Sequence, residues 1–343
     1  MVGSEILLGI IMAGGRGTRL MPLTANRPKP MVPVLGRPVI DYVKDAMVAA
    51  GLSEIIVTTG YQGEQLVSHV DTWGITSRVN QEETPMGTAG SVRLLFDELN
   101  ETFVVGSGDS VASFDIADLL KSHRESGAKV TMALWEVEDP TEFGIVGLSK
   151  DHQGAIESGL SEGYISKFKE KPKLEEAFSN LINAGLYIIE PEVMDLVPSG
   201  EKYDFSKQLF PDVLSRGWPM YAKTVNGIWF DVGHPFELHN AQMALVEGRD
   251  ELPFPMPKGE VLPDGSFISD SAMVSGHIEK SIVLEGASVN GAVVNSVIMS
   301  NSRVEGVSES SIIGENSVIE SRIQHCVIGD GLHISVDLEN ERR

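Results

Sequence analysis

The sequence predicts an α/β protein: a Rossmann-like, doubly wound, mostly parallel sheet followed by a short C-terminal left-handed parallel β-helix. Three observations carry this. Short aliphatic runs alternate with segments of helical spacing through the first part of the chain. A fifteen-residue repeat begins at Ser266. Between them lies ELPFPMPKGEVLPDG, residues 251–265, in which four prolines cannot continue a helix and make a stiff connector.

The first run, EILLGIIMA, is bounded by glycine and reads as a strand buried on both faces of a parallel sheet. RPVIDYVKDAMVAAG, residues 37–51, has the apolar spacing of a helix and ends on Gly51, a residue suited to the position just past a helix end. EIIVTTG then reads as a strand, TAGSVRLLFDELN as a helix and TFVVGSGDS as another strand. We therefore expect a first domain over residues 1–250 and the connector over 251–265.

A β-helix is expected over 266–336. Five segments stack at one spacing: SFISDSAMV, SIVLEGASV, SVIMSNSRV, SIIGENSVI and CVIGDGLHI, starting at Ser266, Ser281, Ser296, Ser311 and Cys326. Each holds two aliphatic residues six apart, as in Ile268 with Val274 or Ile313 with Ile319, so that each side of a coil turns one such residue inward. His277, His325 and His333 fall in these repeats, but five short coils are too few to build an acyltransferase site around a histidine. The repeats hold no residue assigned to a reaction, so their expected role is assembly into a homo-oligomer.

The totals exclude several classes. A formal net charge of −22 disfavours nucleic acid and anionic membranes as partners, and an anionic ligand would need a local basic island. The single cysteine, Cys326, allows no internal disulfide and fits a reducing compartment. The run from Ile6 to Ala13 is of strand length with no basic leader, unlike a signal peptide or a membrane span, so the protein reads as cytoplasmic.

The first strand runs into GGRGTRLMPLTANRPKPMVPV. Glycines after a buried strand let backbone N–H groups turn toward phosphate oxygens. The spacing is neither that of a Walker loop nor that of a dinucleotide fingerprint. Taken alone, Gly14, Gly15 and Gly17 would suit any tight turn.

The whole string, however, closely resembles the signature of the sugar-1-phosphate nucleotidyltransferases, which condense a nucleoside triphosphate with a sugar 1-phosphate. The resemblance continues in order along the chain to about residue 245, through EETPMGTAG, GSGDS, EFGIV, KFKEKP, INAGLY and GIWFDVGHP. It implies nucleotide contacts at Ala13, Gly14, Gly15, Gly17, Thr18, Arg19, Glu82, Pro85, Gly87 and Thr88. It implies sugar-phosphate contacts at Gly144, Glu170, Lys171 and Asn183, and catalytic roles for Arg19, Lys29, Asp109 and Asp231. Asp109 and Asp231 would be the ligands of a Mg²⁺ ion. Arg16 and His234 occupy variable positions and receive no role, and Lys167, Lys169 and Lys173 read as the wet face of an edge strand.

By the same resemblance, a sugar-phosphate oxygen attacks the α-phosphorus and pyrophosphate leaves in line, so positioning and charge neutralisation must supply the rate. GTAG, INAGLY and DVGHP look most like the guanylyltransferase branch, which implies GTP and mannose 1-phosphate, and Glu82 or Glu83 could accept hydrogen bonds from guanine. Glucose 1-phosphate with dTTP, UTP or ATP is the alternative within the family. A regulatory subunit without catalysis is disfavoured because Arg19, Lys29, Asp109 and Asp231 are all present.

Overall fold

The aliphatic run after the N-terminus forms the strand Leu8–Met12, and its unbroken pattern matches its place: it pairs in parallel with Glu54–Thr59 on one side and Phe103–Ser107 on the other. The structure, a computed structural model, describes residues 7–60, 63–248 and 256–343. Among these, the chain divides into two compact units, one of residues 7–14, 43–60, 63–108 and 113–229, the other of 15–42, 109–112, 230–248 and 256–343. That the segment 15–42 groups with the repeats is not visible in the sequence.

The first unit is built on a nine-stranded sheet among the described residues, in the spatial order Thr76–Gln81, Glu54–Thr59, Leu8–Met12, Phe103–Ser107, Leu181–Ile189, Val130–Glu136, Met220–Thr224, Glu162–Glu170, Gly144–Ser149. The first four strands are parallel, as expected for a doubly wound fold. Leu181–Ile189 then enters antiparallel to both of its main neighbours, and the sheet closes on the antiparallel pair Glu162–Glu170 and Gly144–Ser149. Helices Ile40–Ala49, Gly87–Arg93 and Ile116–Ser126 are among those that alternate with the strands. Gly51, with φ 91°, follows the first of them as expected. The helix expected over residues 88–100 stops at Arg93 and gives way to a 3₁₀ turn, Phe96–Glu98, which carries Leu95 and Leu99 into the core while Leu94 is half exposed. The core unites Ile10, Ile56, Val105 and Leu134 with an aromatic group, Tyr187, Phe205 and Phe210.

The second unit carries the left-handed β-helix. Its coils form three parallel sheets, and register is kept at fifteen residues, for example Ile282↔Val297↔Ile312↔Val327. Two sides hold the expected aliphatic stacks. The third, Ile278, Val293, Ser308, Ile323 and Leu338, escaped the pattern because it lies four residues after the second stack and is broken by Ser308. One corner is a ladder of buried serines: Ser281, Ser296 and Ser311 each donate their backbone N–H to the hydroxyl one coil earlier at 3.0 Å, and their own hydroxyls donate to a carbonyl two residues back. The hydroxyls therefore enter the interior with their hydrogen bonds made. The residue before each, Lys280, Asn295 and Ser310, turns the corner at positive φ, and so does His325 before Cys326, which gives His325 a structural place. Residues 251–255 of the expected connector lie outside the described residues, and Gly259–Val261 is already a strand, antiparallel to Phe267–Ser269. Among the described residues no helix is long and apolar enough to cross a membrane.

Candidate active site

The glycine string begins to make sense at Gly17. Its φ of 64° lies in the left-handed region, and a Cβ there would stand 2.9 Å from Thr24 Cγ2 and 3.0 Å from Lys29 Cβ, so only glycine fits. The Thr24 hydroxyl donates to the Gly17 carbonyl at 2.8 Å and fixes the bend. The short turn Thr18–Leu20 follows and presents Arg19 to solvent. Pro28 and Pro30 frame a second turn, Lys29–Met31, and send the Lys29 side chain inward, where the residue is only 8% exposed.

The Lys29 ammonium meets two carboxylates. Nζ donates to Asp109 Oδ2 at 2.5 Å and to Asp231 Oδ1 at 3.4 Å. The aspartates are adjacent because the strand Trp229–Asp231 pairs with Ser110–Ala112 and the Val232 N–H donates to the Asp109 carbonyl at 3.1 Å. Burial raises the Asp231 pKa above the ordinary carboxylate range, and the neighbouring charge of Asp109 raises it further, against the pull of Lys29 and Arg19. Burial alone would lower the Lys29 pKa, but Asp109 and then Asp231 outweigh it, so its pKa is raised and the lysine stays charged.

Arg19 completes the group. A Cβ on Gly233 would lie 3.1 Å from Asp231 Oδ2 and 3.3 Å from Arg19 Nη2, so the missing side chain leaves room for the guanidinium beside the aspartate. All four residues expected to be catalytic are thus brought together in the second unit, from three separate segments. His234 sits next to them: its Nε2 accepts from Arg342 Nη2 at 2.7 Å, and its Nδ1 faces the Phe236 N–H at 3.4 Å, capping the helix Pro235–Glu247. Burial and then the charge of Arg342 hold its pKa below the usual range, so the ring is neutral near pH 7.

Gly14 and Gly15 differ from Gly17. Both are exposed, and a Cβ on either would meet nothing closer than 4.0 Å. Packing therefore does not require glycine there, and what remains is bare backbone open to an incoming group. Ala13 is buried, with its N–H on the Thr58 carbonyl at 2.8 Å, while Thr18 is exposed.

The remaining expected residues lie in the first unit, and most of their polar atoms are already engaged. Glu82 is buried, and its Oε2 accepts the Met86 N–H at 3.0 Å, which shapes the turn before helix Gly87–Arg93; Glu83 and Pro85 are exposed. Gly87 has φ 75°, and a Cβ would stand 2.5 Å from the Tyr203 carbonyl oxygen. The Thr88 hydroxyl donates to Asp204 Oδ2 at 3.0 Å and accepts the Phe205 N–H at 2.9 Å.

Asp204 also caps the turn Phe205–Leu209 through the N–H groups of Ser206 and Lys207. Asn183 donates to the Tyr187 hydroxyl at 2.8 Å and accepts the Gly185 N–H at 2.9 Å, where the strand slips register. Glu170 pairs in register with Gly144, whose missing Cβ leaves room for the Glu170 carboxylate and Phe168. Burial raises the Glu170 pKa, and Asp204 adds to it, opposed by Lys171, Lys207 and a hydrogen bond with Ser206. Lys171 is exposed at positive φ and pairs with Glu142 at 3.4 Å. Sequence reading missed Asp204, Ser206 and Tyr187, whose one local signal is the Asp before Phe-Ser that begins a helical turn.

Residues 8–248 match the family model described as nucleotidyl transferase. The chain belongs to this family. A UTP–glucose-1-phosphate uridylyltransferase of Synechocystis is 34% identical to this nucleotidyl transferase over 242 residues, covering 65% of this chain and 59% of the relative. The mannose-1-phosphate guanylyltransferase of Mycobacterium tuberculosis is 32% identical over 276 residues, covering 78% of this chain and 73% of the relative. A rice protein described as a probable mannose-1-phosphate guanylyltransferase is 32% identical over 234 residues, with 61% of its length covered. The chain thus spans about three-fifths of two of these three relatives. Among solved structures, a Bacillus anthracis protein assigned as a glucose-1-phosphate thymidylyltransferase aligns with TM-score 0.59 and 25% identity over 69% of this chain and 94% of that one.

Proposed function

We propose that this nucleotidyl transferase joins a nucleoside triphosphate to a sugar 1-phosphate and releases pyrophosphate, with GTP and mannose 1-phosphate as the preferred pair. The observation that carries the reaction class is the meeting of Arg19, Lys29, Asp109 and Asp231 beside the bare backbone of Gly15. An oxygen of the sugar phosphate attacks the α-phosphorus, the bond to the bridging oxygen breaks, and the electron pair leaves with pyrophosphate. Two of the three Lys29 N–H donors are held by the aspartates, which leaves the third to meet a phosphate oxygen. Arg19 offers its fork to the triphosphate, and the backbone of Gly14 and Gly15 admits phosphate oxygens where a side chain would crowd them.

Two adjacent carboxylates that already converge on one cation suit a divalent ion of hard character. Among the described residues no third His, Cys, Asp or Glu joins them, so phosphate oxygens and water would fill the shell, the habit of Mg²⁺. Bound there, the ion would supply Lewis-acid charge stabilisation at the α-phosphate. In the first unit, Glu170, Lys171 and Asn183 are our candidates for the sugar phosphate, and the turn from Glu82 to Thr88 for the base.

The guanylyl preference draws support from the relatives active on mannose 1-phosphate; the uridylyltransferase at 34% identity favours UTP with glucose 1-phosphate as a second reading. The test is pyrophosphate release from purified protein with Mg²⁺, five nucleoside triphosphates and each sugar 1-phosphate. GTP with mannose 1-phosphate should lead by roughly tenfold or more in kcat/KM. A lead by UTP or dTTP with glucose 1-phosphate would overturn the substrate pair, and no release with any pair would overturn the reaction class. Assembly through the β-helix is part of the same proposal, and light scattering measures it.

A further inference from the structure

The repeats were expected to stand apart from the chemistry, yet within the second unit their last coils reach the glycine string. We propose that Arg342 is a positioning residue for the phosphate-binding loop, fixing the backbone from which Arg19 projects. The inference rests on the reading of Arg19 given above. Arg342 Nη1 donates to the Arg19 carbonyl at 3.1 Å, and Nη2 of the same guanidinium donates to His234 Nε2 at 2.7 Å. One rigid fork thus ties the loop to the segment that follows Asp231, across 323 residues of sequence in the first case and 108 in the second.

Arg342 is itself anchored. It forms a parallel bridge with Val327, and the neighbouring backbone is laced to the coil by Val327 N–H to Glu341 O at 2.8 Å, Arg343 N–H to Val327 O at 3.0 Å and Gly329 N–H to Arg343 O at 2.7 Å. The guanidinium therefore projects from a fixed strand. The preceding coils hold the loop at a second place. Arg27, with only 15% of its side chain exposed, donates to Glu315 Oε2 at 2.7 Å and to Asp330 Oδ2, while Asp330 Oδ1 accepts the Glu315 N–H at 2.9 Å and locks the two acceptors together. Between these ties a Cβ on Gly329 would lie 3.2 Å from Pro22, so coil and loop are in contact.

Inside the loop, by contrast, the Arg19 carbonyl finds its tie in Arg342, while Gly17 and Thr18 are held by Leu20, Met21 and Thr24. The Arg342 bonds are exposed, so they add little to global stability. Their effect is on where Arg19 stands, and misplacement of a phosphate-binding cation is felt in substrate affinity and turnover.

The experiment uses the full chain as wild type, Arg342→Ala, Arg342→Lys and Arg343→Ala. Without substrates, hydrogen exchange of residues 14–24 should quicken about threefold or more in Arg342→Ala. With substrates, the KM for the nucleoside triphosphate should rise about tenfold while the melting temperature stays within about 2 °C. Arg342→Lys should lie between, because a point donor cannot span both acceptors. Arg343→Ala should match wild type. Unchanged exchange, or changed exchange with an unchanged KM, overturns the inference. So does a large fall in melting temperature, which would make Arg342 a support of the coil alone. If wild-type protein shows no transfer, the proposed reaction fails, and the exchange measurement still decides whether Arg342 holds the loop.

Discussion

The charged cluster of the second unit and the polar patch of the first both gather motif residues, but they use them in opposite ways. Around Lys29 the four formal charges cancel, Arg19 is exposed, and one Lys29 donor is left over. Around Asp204 the polar atoms are spent on each other: Thr88 on Asp204 and Phe205, Asn183 on Tyr187 and Gly185, Glu170 on Ser206. A motif residue held in reserve is chemistry, and one already hydrogen-bonded on both sides is first of all architecture. Mutations in the two regions should therefore split between turnover and stability.

The largest split should come from Asp109→Asn and Asp231→Asn. Each replacement keeps the shape and removes one carboxylate charge facing Lys29 and the proposed metal, so pyrophosphate release should fall about 10³-fold, with unfolding free energy changed by about 1 kcal/mol or less. Kinetics at saturating Mg²⁺ beside urea melts make the test. Near-normal turnover in either variant would break the comparison at its charged end.

Glycines sharpen it next. Gly87→Ala places a Cβ 2.5 Å from the Tyr203 carbonyl oxygen at φ 75°, and both faults should together cost about 3 kcal/mol of stability. Gly15→Ala meets only ordinary contact at 4.0 Å, so its melt should be near wild type while kcat/KM drops about tenfold, since the added methyl faces the site proposed for phosphate. Equal melts for the two variants would erase the distinction between packing and reserved backbone.

These glycines also show how far the sequence could be read. Gly14, Gly15, Gly17 and Gly87 all fell within motif matches, but the matches could not say that Gly17 and Gly87 are demanded by Lys29 and Tyr203 while the other two are not. Three of the four parallel strands were written in aliphatic runs such as Leu8–Met12, whereas the edge strand Thr76–Gln81, TSRVNQ, has no such run. The antiparallel entry of Leu181–Ile189 was not written in the sequence, because strand direction depends on long-range pairing rather than on side-chain period. Two inward stacks of the β-helix kept a visible spacing of six, and the third was hidden by Ser308. The Arg342 tie joins residues 323 apart and carries no local pattern at all.

A smaller effect is expected at Thr88. Thr88→Val removes the hydroxyl that donates to Asp204 and accepts from Phe205, leaving two partly buried groups without their partner, at a cost of about 1–2 kcal/mol in urea melts. Because the hydroxyl is already engaged, the KM for the nucleoside triphosphate should change by less than about threefold. A larger rise in KM at unchanged stability would show that the Thr88 hydroxyl, and not only the backbone of its turn, serves the nucleotide.

The smallest effect tests the spent class by pH. His123 is buried, with Nδ1 2.8 Å from the Thr131 hydroxyl and Nε2 3.0 Å from Glu190 Oε1, which also accepts from Thr102. Burial lowers its pKa, and the charges of Arg124 and Lys129 act the same way, while Glu190 opposes them without prevailing. The unfolded chain, with an ordinary histidine pKa of about 6.5, then binds the proton more readily than the folded one. The contribution of His123 is therefore fully present above about pH 6.5 and is lost on acidification, at no more than about 1.4 kcal/mol per pH unit for one proton. Urea melts from pH 8 to pH 5 should fall more steeply in wild type than in His123→Gln, where no group titrates at that position. The pH dependence of kcat should be the same in both, because both ring nitrogens are bonded inside the first unit to Thr131 and Glu190, which have no assigned part in catalysis. A parallel decline of the two melts would show that the His123 pKa is not lowered, and a displaced kcat profile would show that a residue bonded on both sides can still serve the reaction.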